Sequence, residues 1–216
     1  MSLRTPQEIN NMWFDSDRSK FNNPEFIKFS MGKWFLGTVP EVEQLFKAES
    51  KQIEDLADEN SLGEQWFTPE GYLARIVMFD QGSRTAFRGT PKAFAFDEAA
   101  AKLTLSIVQK GWLVEKYLPI ERQAILTPLL HSEHLPDHDA AVSLIPLICE
   151  GLEDEAAVAC FAGTPPFFEE HREVVRKFGR FPSRNGALGR ENTAAEEEWL
   201  NSPDLPAWAR SQQAKK

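Results

Sequence analysis

One pattern recurs along this chain and limits what it can fold into: a capping residue, then a proline, then an apolar stretch of helical period. Thr5-Pro6 (with Glu8), Asn23-Pro24, Thr68-Pro69, Thr90-Pro91 and Pro165-Pro166 each stand at such a start, and Pro119 and Pro136 open two more stretches without the capping residue. Proline at the first helical position gives up only an N–H that lacks a partner anyway. The side-chain oxygen ahead of it accepts from the orphan donors of the first turn. Thr38 with Glu41 and Thr193 with Glu196 open two more stretches at capping-box spacing, the first running to about Glu59. Gly37, Gly111 and Gly179 supply left-handed stops. Alternating strand patterns are absent. The chain therefore reads as all-α, with antiparallel helical hairpins packed side by side as a single helical domain over residues 1–206. Residues 207–216, polar and ending QQAKK, read as a frayed tail.

With 216 residues the chain can bury a sizeable core. Its 24 basic against 33 acidic side chains argue against nucleic-acid binding, which needs a broad basic surface to displace counterions. Cys149 and Cys160 are too few for a disulfide framework or a zinc spacing. The opening MSLRTPQEINNMWF is too polar for a signal peptide, and AAVSLIPLIC is too short to cross a bilayer. The expectation is a soluble cytoplasmic protein with no membrane segment and no cofactor. Its oligomeric state is not written in the sequence.

Four polar islands interrupt the helical pattern. In MFDQGSRTAFRG, the spacing of Asp80, Arg84 and Arg88 would form one ladder on a continued helix, with Gly82 weakening it. The ladder is either a surface acid–base array or a device by which Asp80 aims an arginine at an anion. In LTPLLHSEH, Pro128 removes a backbone donor and predicts a kink that redirects His131 and Glu133; the alternative is a plain helix end with His131 on the dipole. His131, His134 and His138, beside Asp137, have a metal-like spacing. Pro136 separates them, however, so no metal site is read here. The last island is KFGRFPSRNGALGREN. Residues 171–190 hold six basic side chains against Glu173 alone, a formal +5. Guanidinium groups suit carboxylate or phosphate recognition, and Gly186 and Gly189 would allow backbone N–H groups to approach a ligand. His171 lies on the apolar face of its helix with Phe167, Val174, Val175 and Phe178. Against a site stands Glu196, with Glu197 and Glu198, able to pair with Arg184 or Arg190.

The stretches LARIVMFDQGSRTAFRGTPKAFAFD, ERQAILTPLLHSEH and HREVVRKFGRFPSRNGALGRENTAAEEEWL, in this order, resemble a mainly bacterial family of unknown function, domain-of-unknown-function family nine-two-four. The likeness runs from about residue 10 to residue 201 and implies a tetratricopeptide-like helical fold, but no activity. It covers Asp80, Gln81, Arg84, Arg88, Asp97, Pro128, His131, Glu133, His171, Arg180, Arg184, Asn185, Arg190 and Glu196. The chain departs from the usual pattern at Gly82, Thr85 and Ser183, while His134 and His138 fall outside it.

Three readings stand side by side. The first is a pocket for a small anionic ligand, a carboxylate or phosphate, held by Asp80, Gln81, Arg84, Arg88, His171, Arg180, Arg184, Asn185 and Arg190. His131, oriented by Glu133, would move a proton there. The second is a helical scaffold presenting a groove to a peptide. The third takes the same polar residues as internal salt-bridge staples, with Asp80, Asp97, Glu133 and Glu196 neutralising the arginines.

Overall fold

The computed structural model describes residues 4–35 and 40–212, the side chains of residues 34 and 35 excepted. The expected stop at Gly37, the cap at Thr38 and the last four residues lie outside this range. The described residues contain helices and turns and no strand, as the sequence pattern requires.

The helices are α1 (Pro6–Trp13), α2 (Pro24–Phe35), α3 (Pro40–Ala48), α4 (Ser50–Asp55), α5 (Pro69–Ile76), α6 (Ser83–Ala86), α7 (Asp97–Gln109), α8 (Trp112–Lys116), α9 (Pro119–His131), α10 (Leu135–Leu144), α11 (Glu155–Ala159), α12 (Thr164–Phe178), α13 (Asn185–Leu188), α14 (Ala194–Leu200) and α15 (Ala207–Gln212). Thr5 and Thr193 form capping boxes with Glu8 and Glu196, and Thr68 accepts from the N–H of Gly71. Asn23 Oδ1 accepts from the N–H groups of Glu25 and Phe26. Gly179 ends α12 at φ +71°, a conformation that costs glycine nothing.

Some boundaries differ from expectation. The stretch up to residue 59 breaks at Glu49 into α3 and α4. Thr90-Pro91 opens only a 3₁₀ turn (Pro91–Phe94), and α7 begins at Asp97. The expected frayed tail is, over Ala207–Gln212, a helix. Leu205 and Ala209 are buried there and Trp208 packs on His171, so apolar burial overrides the polar average of the segment. Lengths run from four residues in α6 to fifteen in α12, with 3₁₀ turns between helices.

α9 organises the core. Ile120, Ile125, Leu126, Leu129 and Leu130 are at most 1% exposed, and α5, α7, α10 and α12 pack around the helix. A helix enclosed on most sides is apolar nearly all round, so each polar residue on it needs an internal partner. Thr164 Oγ1 donates to Gln123, and Arg122 donates to the carbonyls of Tyr117, Val114, Leu147, Ile148 and Glu150. No described helix is long and apolar enough to cross a membrane.

Candidate functional site

Between Pro69 and Ala86 the chain stays helical, but over Val77–Gly82 it widens into a π turn, so that the N–H of Ser83 reaches the carbonyl of Met78. Such turns are rare and concentrate at functional sites. Side chains serve two of its carbonyls. Ser83 Oγ donates to Phe79 O at 2.5 Å, and Arg84 Nη1 donates to Asp80 O at 2.9 Å. Gly82 lies inside the turn, where an added Cβ would come within 3.1 Å of the Phe46 ring and 3.3 Å of Ile53. A larger residue there would need the Phe46 and Ile53 side chains to shift by a few tenths of an ångström.

The turn buries Asp80, 1% exposed, against the last turn of α9. Asp80 Oδ1 is 2.6 Å from His131 Nδ1 and 3.2 Å from Arg84 Nη1, while Gln81 Nε2 donates to Oδ2 at 2.5 Å. Burial alone would raise the Asp80 pKa. The neighbouring His131 and Arg84, with the hydrogen bonds from His131 and Gln81, overcome this and hold it down at about 2. With Asp80 ionised, His131 Nδ1–H donates to it. The ring is thereby fixed in one tautomer with the Nε2 lone pair left over; among the described residues no group bonds Nε2. Burial lowers the pKa of His131 despite the upward pull of Asp80, with Arg84 adding to the fall. A neutral, oriented imidazole backed by a carboxylate is equipped to accept a proton.

α9 runs through Pro128 to His131 as a single helix, and its end is tied by Arg184. Nη2 of Arg184 donates to the carbonyl of His131 at 2.7 Å, satisfying one of the helix's orphan acceptors. Nη1 of Arg184 donates to Asp97 Oδ2 at 3.0 Å. Arg84 grips the same Asp97 carboxylate through two bonds of 2.8 Å. The Arg184 guanidinium lies between the rings of Phe94 and Phe181, 4.7 and 4.5 Å from their centroids. Burial lowers its pKa to about 10 against the pull of Asp97, so it stays charged at neutral pH. Asp97 thus neutralises two arginines that the sequence suggested for a ligand.

The other arginines are matched in the same way. Arg180 forks onto Glu196 at 2.7 and 2.8 Å, and Arg190 forks onto Glu133 at 2.6 and 2.9 Å. Asn185 accepts from Arg190 Nε and donates to Asn192. Arg88 is exposed beyond the end of α6, outside any ladder. Gly189 is the left-handed stop of α13. The expected convergence of Arg84, Arg180 and Arg184 around one void is not what the chain forms, because each finds a carboxylate from a distant segment. Glu133 does not orient His131: it accepts from Arg190 and from the N–H of Phe181 at 2.8 Å, and Asp80 takes the orienting role. His138 bonds the carbonyl of Ser132, and His134 is exposed beside Asp137. Among the described residues, no group of three or more ligand-type side chains could hold a metal ion.

A cavity of about 450 Å³ opens where the π turn, α9, α12 and α15 meet. Of the expected site residues, Asp80, Gln81, Arg84, His131 and His171 line it; Glu133, Arg88, Arg180, Arg184, Asn185 and Arg190 do not. His171 Nδ1 bonds the carbonyl of Phe167 at 2.9 Å, and burial lowers its pKa well below the usual value. Its ring stacks on Trp208 of α15, with centroids 3.8 Å apart, and lies 6.3 Å from His131. Trp208 Nε1 donates to Glu170 at 2.6 Å. Trp13, Thr127, Phe167, Glu170 and Trp208 complete much of the wall. The sequence reading had assigned none of these to the site. The only local signal was a tryptophan standing alone in a polar tail.

Fold and site together define an all-helical protein with a buried aspartate–histidine pair at the wall of a cavity open to the surface. The chain belongs to the family described as bacterial protein of unknown function (DUF924), whose model matches residues 9–204. Among solved structures it is similar to a protein of unknown function, ATU0120, from Agrobacterium tumefaciens. The two share 23% identity at a TM-score of 0.54, over 91% of this chain and 96% of that one. No curated protein matches the chain.

Proposed function

We propose that the cavity binds a small molecule and that His131, oriented by Asp80, exchanges a proton with it or with a water held beside it. The observation that carries this reading is the 2.6 Å Asp80–His131 contact at the wall of a space of about 450 Å³, within the range of about 300–1,000 Å³ usual for small-molecule sites. Asp80 fixes the tautomer and would balance the imidazolium formed on proton uptake. The arginine component of the sequence expectation drops out of this reading, since Asp97, Glu133 and Glu196 already neutralise those cations. A peptide-binding groove has less support. Exposed large apolar side chains are Phe29, Phe67, Leu105 and Val158, spread over α2, the turn at Glu64–Phe67, α7 and α11.

The test is a turnover screen against esters, amides and amidines of small apolar acids, with His131→Gln as the control. Loss of turnover by about 10²–10⁴-fold, in a variant still folded at the assay temperature, is expected for a removed general base. Turnover that His131→Gln leaves intact sinks the assignment.

A further inference from the structure

We infer that the ligand of this cavity is a small amine, bound as its ammonium ion against aromatic walls; the inference rests on the cavity being a ligand site. Three observations converge on it. The first is what the wall can still offer. His131 Nδ1 is spent on Asp80 and His171 Nδ1 on the carbonyl of Phe167. A neutral imidazole with Nδ1–H engaged presents only an Nε2 acceptor. Both rings lie on one cavity, 6.3 Å apart. At these two rings the cavity presents acceptors, to which a ligand's donors can bind.

The second is charge. Among the described residues that line the cavity, Arg84 is the one cationic side chain, and it is committed to both oxygens of Asp97 and to Asp80. Arg184, behind it, is committed to Asp97. Asp80, Asp97 and Glu170 against Arg84 and Arg184 leave one negative charge in excess, and Glu170 stands exposed at the cavity edge. A carboxylate or phosphate would meet this excess without a free cation to receive it.

The third is the wall chemistry. Phe167 and Trp208 line the same space, together with Trp13, whose ring already has the Lys33 ammonium 5.6 Å from its centroid. Indole and phenyl faces attract cations, by about 0.5–2 kcal/mol according to desolvation. They also suit an apolar body. An ammonium N–H can donate to the imidazole acceptors while its carbon skeleton lies on the rings.

The experiment compares matched heads on one body by calorimetry with the full chain: phenethylamine, 3-phenylpropanoate and 2-phenylethanol, with hexylamine, heptanoate and hexanol as a second series. The expected result is that each amine binds at least tenfold tighter than its carboxylate, with the alcohol between. Glu170→Gln, whose amide oxygen can still accept from Trp208 Nε1, should reduce amine affinity severalfold and alcohol affinity by less. Carboxylates binding as well as or better than amines would overturn the amine assignment and leave the cavity reading standing. If none of the six binds, or if binding survives in a Trp208→Ala chain that melts like the parent, both readings are overturned.

Discussion

Arg184 Nη1 donates to Asp97 Oδ2 across 3.0 Å, joining residues 87 positions apart in the chain. The contact decides how the arginine-rich loop is to be understood. With Arg184 only 3% exposed and its other amino group on the carbonyl of His131, the loop locks the end of α9 to the start of α7 and holds His131 in place from behind.

Replacing Arg184 by methionine should therefore be costly. Breaking a buried pair from one side typically costs about 3–5 kcal/mol. Urea unfolding should show a loss of that size, whereas Arg180→Met, whose arginine is 28% exposed, should lose about 1–2 kcal/mol. Equal losses at the two positions would contradict the ranking.

Asp80→Asn keeps the shape and removes the charge. Asp80 pulls the His131 pKa upward against burial, so in the variant the imidazole should titrate at lower pH still. Nuclear magnetic resonance of the ring carbons measures this directly. An unchanged or higher value would mean that the two side chains do not interact as described.

Stability should fall on acidification. His131, His138 and His171 all have pKa values lowered mainly by burial. The unfolded chain therefore takes up protons near pH 6.5 while the folded chain does not. The unfolding free energy should decline as pH drops below about 7 and level off only beneath the folded values. The slope is up to about 1.4 kcal/mol per pH unit from each histidine. Asp80 acts later: its contribution is complete above about pH 4 and is lost as pH falls through about 2. His171→Phe, which can still stack on Trp208, should flatten the first part of the curve in denaturant titrations at stepped pH.

Gly71 tests the junction beneath α1 and α5. A Cβ there would stand 2.3 Å from the carbonyl oxygen of Gln65 and 2.5 Å from the carbonyl carbon of Trp66, both backbone atoms. Gly71→Ala should lose about 1–3 kcal/mol or more through overpacking, although alanine is the better helix former. A gain in melting temperature would show that the turn at Glu64–Phe67 yields easily.

Arg122 makes a further staple, bonding main-chain carbonyls rather than a carboxylate. Its guanidinium serves carbonyls at 2.6–3.3 Å around the ends of α8 and the turn at Ile145–Ile148. Arg122→Lys should recover only part of the stability lost in Arg122→Met, because a single ammonium cannot fork to carbonyls on several sides.

The sequence by itself determined the helical class and most helix starts, because caps, first-turn prolines and glycine stops act within a few residues of where they stand. Thr5, Thr68, Thr193 and Gly179 all do in the fold what their neighbours imply. It also marked Asp80, Arg84, His131 and His171, which do line one cavity. Tertiary structure alone decided the partners. Whether an arginine faces a ligand or a carboxylate depends on Asp97, Glu133 and Glu196 arriving from 13 to 87 residues away, and no local pattern encodes that arrival. The π turn at Val77–Gly82 and the docking of α15 through Trp208 belong to the same class. They exist because burial against α9 and α12 outweighs local preference, and burial is settled only when the whole chain has packed.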